Sequence, residues 1–232
     1  VKGAGWFSSL GCPGSAGTKV FSLVGSVNRV GLIEIQLGTS LKEIVHDIGG
    51  GIPGGAACKA VQTGGPSGGC IPVHLLQLPV DYSSLEQAGS IMGSGGLIVM
   101  DDKTCMVDIA RYFIGFLEAE SCGKCTPCRV GLRRMREILD DISTGNGTVE
   151  DLAQLEHMAS LIQQSALCGL GSTAPNVILS TLKHFKDEYL AHILVKKCPA
   201  GVCRELISFS IDPKKCTGCG ACRQACPAGA IA

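Results

Sequence analysis

Residues 19–80 carry short apolar runs that suit strands, and from about residue 101 the apolar positions recur with a helical period. Lys19 to Val27 and Gly31 to Leu37 read as strands, and Ala57 to Thr63 as a third. Between them, Thr39 or Ser40 can N-cap a short helix through Ile48, with Gly49 to end it. The Gly/Pro clusters at 49–55 and 64–69 are loops. Residues 104–119 form one amphipathic helix. Thr126-Pro127 starts another, with Thr as N-cap and Pro at the first helical position, running to about Ser143. Thr148 with Asp151 resembles a capping box and opens a helix to about Ala166. A last helix follows Pro175 and runs to about Leu194. Four helices of this length predict a small bundle. Residues 1–18 show no period, 81–100 read as a connecting segment, 196–212 as a linker, and a Cys-rich segment occupies 213–232.

Composition narrows the class. The chain has 232 residues, 45 % hydrophobic and 17 % charged, which is a folded composition. Glycine, at 32 residues, is about twice as frequent as usual, so some backbone must turn tightly or approach closely. Twenty basic and twenty acidic residues balance, which argues against a nucleic-acid partner. No apolar run approaches the ~20 residues of a membrane span. The start, Val1 to Trp6, lacks the apolar core of a signal peptide, so a cytoplasmic protein is expected.

Fourteen cysteines decide the chemistry, because seven of them lie in two closely spaced runs. Cys122, Cys125 and Cys128 stand at C-x-x-C-x-x-C, and Cys168 is the expected fourth ligand of a 4Fe–4S cluster. Gly123 permits the tight loop, while Gly169 and Gly171 let the Cys168 backbone come close. The helix from Pro127 points free N–H groups at the site, and Lys124 and Arg129 add positive charge to a net-negative cluster. A structural zinc site is the alternative use of this triplet.

Cys216, Cys219, Cys222 and Cys226-Pro227 match the ferredoxin run C-x₂-C-x₂-C-x₃-C-P. In two-cluster ferredoxins the first three ligate one cluster and the fourth the other. This set is therefore incomplete within the sequence. His192, Cys198 and Cys203 could give three ligands of a zinc site, with Cys105 or Cys70 as the fourth. Their alternative is a helix-end histidine beside two inert buried thiols. Cys12 and Cys58 read as small buried hydrophobes, and His46, His74, His157 and His184 as structural or surface residues. Gly49 to Gly54 formally fits G-x-G-x-x-G, but it follows a helix pattern and contains Pro53, so it reads as a turn. No acid–base or nucleophilic constellation stands out, and no catalytic residue is assigned.

Glu120-Ser121-Cys122-Gly123-Lys124-Cys125-Thr126-Pro127-Cys128-Arg129, then Cys168, then His184-Phe185-Lys186-Asp187-Glu188, resembles the C-terminal half of the NADH-binding, flavin-bearing subunit of respiratory complex I. With the ferredoxin run, Gly64 to Cys70 and Cys198 to Cys203, the chain resembles more narrowly the beta subunit of NAD(P)-linked, electron-bifurcating [FeFe]-hydrogenases and related formate dehydrogenases. The resemblance implies an α+β chain: a β-grasp (soluble-ligand-binding) domain over 19–80, a four-helix iron–sulfur bundle over 101–195, and a truncated ferredoxin-like segment over 213–232. Residues 1–18 would be the remnant of a flavin domain. FMN and NAD(P) would bind on a part preceding residue 1, so no flavin or nicotinamide ligand is placed here. The implied partners are a hydrogenase or dehydrogenase catalytic subunit, a small thioredoxin-like 2Fe–2S subunit, and ferredoxin. The implied role is electron relay between FMN and partner clusters, without a substrate site on this segment.

Overall fold

The computed structural model describes residues 1–207 and 211–227. Residues 208–210 of the expected linker and 228–232 of the expected ferredoxin-like segment lie outside the described residues. The fold mixes a sheet with helices. Five strands form the sheet: β1 Thr18–Gly25, β2 Gly31–Gln36, β3 Cys58–Thr63, β4 Cys70–Pro72 and β5 Gly96–Asp101. Their order is β2-β1-β5-β3-β4. β1 pairs with β5 in parallel, from Ser22 opposite Gly96 to Gly25 opposite Val99, and the other pairings are antiparallel.

The expected connecting segment 81–100 is therefore corrected, because it holds most of the middle strand of the sheet. The reason is burial on both faces. Leu97 and Val99 belong to the apolar core on one side of the sheet, while Met100 belongs to the core on the other, with Ile98 packed against it. A strand covered twice reads as a continuous apolar run and loses the alternation that reveals a half-buried strand. The same segment also contains a short helix, Tyr82–Gln87, which Asp81 caps through the Ser84 N–H at 2.8 Å.

The expected short helix opens at Ser40, whose hydroxyl accepts from the Glu43 N–H at 3.2 Å, and Gly49 closes it. Its last part, Ile44–Ile48, is π-helical. Leu41, Ile44 and Val45 bury against Phe21 and Leu23 of β1, forming the core on the outer face of the sheet.

Four longer helices follow: α1 Met106–Ala119, α2 Thr126–Thr144, α3 Val149–Ser165 and α4 Asn176–Leu190. Cys125 rather than Thr126 occupies the N-cap of α2, one residue before the expected position, with Pro127 in the first turn. Gly145 ends α2 at φ 85°, a left-handed conformation that glycine adopts without side-chain strain. In the capping box of α3, the Thr148 N–H donates to the Asp151 carboxylate at 2.7 Å. Met106, Ile114, Leu132, Met135, Leu139, Leu155 and Val177 are fully buried between the helices. Ala60, Cys70 and Met100 of the sheet belong to the same core. Among the described residues no helix is long and apolar enough to cross a membrane.

Candidate metal centres

The loop between α1 and α2 carries Cys122 and Cys125, and the first turn of α2 carries Cys128. Gly123 turns this loop at φ 72°. The Arg129 guanidinium folds back and donates to the Gly123 carbonyl. Cys168 stands at the head of a short helix, Gly169–Thr173, that joins α3 to α4.

The four thiols influence one another electrostatically. Burial pushes the Cys128 thiol up, against a 3.3 Å contact with Ser121 Oγ that lowers it. The charges of Cys125, Cys168 and Cys122 push it up further, so all three act on Cys128. At Cys125 the balance is reversed. The Leu167 N–H first, then the Cys128 N–H, hold its thiol below the ordinary value. Leu167 directly precedes Cys168, so the distant turn already meets the triplet.

Gly171 explains how that turn comes so near. A Cβ there would fall 2.5 Å from Ala166 Cβ and 3.4 Å from Cys128 Cβ. Gly169, expected to share this role, would meet nothing within 4 Å. The site thus offers four thiols, two of them exposed and one buried, with backbone N–H groups and Lys124 and Arg129 beside them. That donor set fits a 4Fe–4S cluster.

A second group is much tighter. The ligand atoms of Cys105, His192, Cys198 and Cys203 all lie within 4.8 Å of one another, and all four residues are buried. Cys105 Sγ is 3.8 Å from Cys203 Sγ, and His192 Nε2 is 3.5 Å and 3.3 Å from those two sulfurs. Tetrahedral zinc at ordinary bond lengths requires about 3.8 Å between sulfurs and about 3.5 Å from sulfur to nitrogen. The group therefore fits one such ion. Cys198 Sγ accepts the Val202 N–H at 3.3 Å, in a turn that Gly201 makes at φ 67°. Cys70, the alternative fourth member, stands outside this group, and its N–H is bound to Ser180 Oγ at 2.9 Å.

The largest influence on His192, burial, lowers its pKa. The hydrogen bonds to Cys105 and to the Glu188 carbonyl outweigh it and raise the value to about 9. Cys105 is held well above the ordinary thiol range, first by its contact with Cys203 and then by burial.

In the ferredoxin run, Cys216, Cys219 and Cys222 are exposed and Cys226 is half-buried. Gly218 and Gly220 turn the chain at φ 70° and 72°, ahead of a short helix, Ala221–Ala225. The Ala221 N–H, then Thr217, favour the Cys219 thiolate.

Sequence reasoning missed three contributors: Ser121, the Leu167 N–H, and the pair Glu188 and Lys59 behind His192. Only Glu188 left a signal. It stands four residues before His192 on a helix pattern, so its carbonyl falls one turn from the ring.

A mixed fold bearing these cysteine sets belongs to the class of iron–sulfur proteins. Residues 108–192 match the NADH-ubiquinone oxidoreductase-F iron-sulfur binding region, and residues 209–232 match a 4Fe-4S binding domain. Residues 108–192 are thus similar to the iron–sulfur binding region of that oxidoreductase-F family. It is 54 % identical over 231 residues to the NADP-reducing hydrogenase subunit HndC of Solidesulfovibrio fructosivorans, covering all of this chain and 47 % of that protein. It is 43 % identical to an NADH-quinone oxidoreductase subunit of Rhizobium meliloti, covering 86 % of this chain and 47 % of that one. The chain thus spans about half the length of the curated relatives it matches. Among solved structures, an NAD+-reducing [NiFe]-hydrogenase in the H2-reduced state aligns with a TM-score of 0.75 and 31 % identity, over 83 % of this chain and 32 % of that one.

Proposed function

We propose that this chain is the electron-relay part of a flavin- and iron–sulfur-dependent NAD(P)H oxidoreductase subunit. The relay passes electrons between FMN, held outside these residues, and the clusters of partner subunits. Cys122, Cys125, Cys128 and Cys168 are its first ligand set, and Cys216, Cys219, Cys222 and Cys226 are ligands of ferredoxin type. The sheet serves as a β-grasp domain, α1 to α4 as a four-helix iron–sulfur bundle, and the end of the chain as a ferredoxin-like docking or branch point. The observation that carries the reading is the Leu167–Cys168 turn meeting the triplet, with Gly171 so near that an added Cβ would fall 3.4 Å from Cys128 Cβ.

A bound 4Fe–4S cluster supplies a one-electron site whose potential follows charge and hydrogen bonds at its sulfurs. The protein's part is local. The Leu167 and Cys128 N–H groups favour the thiolate of Cys125. The N-terminus of α2 faces negative charge with its free N–H groups. Arg129 fixes the loop at Gly123 and adds positive charge.

The identity to a protein named as an NADP-reducing hydrogenase subunit supports a hydrogenase. The proposal extends it to a cytoplasmic, electron-bifurcating enzyme with a catalytic hydrogenase subunit and a thioredoxin-like 2Fe–2S subunit as partners, on the resemblance of the sequence alone. The second reading, part of an NADH-quinone oxidoreductase or a formate dehydrogenase, draws on the identity to the Rhizobium meliloti protein. Co-purification of the partner subunits separates these two. We further propose that Cys105, His192, Cys198 and Cys203 hold a structural zinc ion. Anaerobic reconstitution followed by iron and sulfide analysis and low-temperature EPR tests the relay. Cys168→Ala should lose one cluster's worth of iron and the matching EPR signal. A colourless, zinc-only protein would refute the relay and leave a zinc-binding structural module.

A further inference from the structure

Glu188 sits in the last turn of α4 and reaches three elements. Its carboxylate lies 2.5 Å from Lys59 Nζ of β3, with both side chains largely buried, and it accepts the Met106 N–H at 3.0 Å. Its main-chain carbonyl lies 2.7 Å from His192 Nδ1. Lys59 also donates to the Thr104 carbonyl at 2.5 Å. Cys105 is thereby gripped on both sides, with the residue before it tied to Lys59 and the residue after it tied to Glu188.

We propose that Glu188 and Lys59 are positioning residues of the Cys105/His192/Cys198/Cys203 site, setting it for one divalent metal ion. This rests on the reading of those four residues as a metal site. The carbonyl of Glu188 can only accept a hydrogen bond, so Nδ1 of His192 carries the proton. When a metal displaces the proton on Nε2, that nitrogen presents its lone pair towards Cys105 and Cys203, as a ligand must. The carboxylate does the same work for Cys105 by fixing the first N–H of α1. A buried ion pair adds little to stability against its desolvation cost. Its value lies in geometry: it joins the sheet, the start of α1 and the end of α4 at the point where two ligands must converge.

The test uses the whole chain and variants that keep all four ligands. Glu188→Gln keeps a side-chain oxygen for the Met106 N–H and the main-chain carbonyl for His192, but loses the charge opposite Lys59. Lys59→Met keeps the apolar stem and loses both donations, and Lys59→Arg restores the charge. Cobalt(II) is added alone, and its visible d–d bands and chelator-competition affinity are read. The expected result is one cobalt ion per wild-type chain, an affinity lowered about 10- to 100-fold in Glu188→Gln and Lys59→Met with altered bands, and partial recovery in Lys59→Arg. Circular dichroism should stay unchanged. Wild-type affinity and bands in both weakened variants would overturn the positioning role alone. A wild-type chain that binds neither cobalt nor zinc would overturn the metal reading, and the positioning role with it.

Discussion

Gly171 sets how closely the Cys168 turn can approach Cys128. An added methyl would sit 2.5 Å from Ala166 Cβ, and neither carbon is the end of a flexible side chain, so backbone must move. Gly171→Ala should therefore lower 4Fe–4S content, read as iron and acid-labile sulfide per reconstituted chain. Gly169→Ala, with open space around it, should not. Equal content in the two variants would show that the turn is not held by this contact. The need for glycine near Cys168 is legible in the sequence, but which glycine bears the contact is not. Spacing along the chain says nothing about Ala166, which packs there only because α3 ends beside the loop. His184 gives a second prediction at this scale. Burial first, then Lys183 and His74, hold its pKa below 6.5, and the His74 ring lies 5.9 Å away. As pH falls, the unfolded chain takes up this proton first. The resulting loss of stability begins as pH drops through 6.5 and is complete below the folded value. His74→Asn should raise the His184 midpoint in an NMR titration, and an unmoved midpoint would remove His74 as a cause.

Elements were legible where one face is wet. α3 opens at a polar pair, Thr148 and Asp151, that no core packing dictates, and both are visible in the sequence. Asp151→Ala leaves the Thr148 N–H without this partner and should cost roughly 1 kcal/mol in urea unfolding, while Asp151→Glu should keep most of it. Equal midpoints for wild type and Asp151→Ala would mean that water satisfies this N–H equally well. β5 is the opposite case. Its core-facing positions point both ways, so the two-residue period disappears, and its partner β1 lies some seventy residues earlier in the chain. The cysteine triplet and the ferredoxin run stand out in the sequence because their cysteines are neighbours along the chain. The meeting of Cys105 with His192 depends on how α1 packs against α4. From the sequence alone Cys105 is therefore the expected fourth member, with Cys70 left open beside it.

Sheet and helices share one apolar core across their junction, where Ala60, Cys70 and Met100 pack with residues of α1, α2 and α4. A polar tie crosses the same junction: the buried Cys70 N–H of β4 donates to Ser180 Oγ of α4 at 2.9 Å. Losing the hydroxyl strands a buried donor, at a cost of about 1–3 kcal/mol. Where that cost is felt depends on whether the two parts unfold together. If the shared core makes them one cooperative unit, Ser180→Ala lowers the protection of both by the same amount. Hydrogen exchange read by mass spectrometry on peptides from β3 to β5 and from α4 should then show matched losses. Accelerated exchange confined to α4 would mean that the sheet stands on its own core of Phe21, Leu23 and Val99. The Cys122/Cys125/Cys128/Cys168 and Cys105/His192/Cys198/Cys203 groups would in that case rest on a helical unit able to open without the sheet.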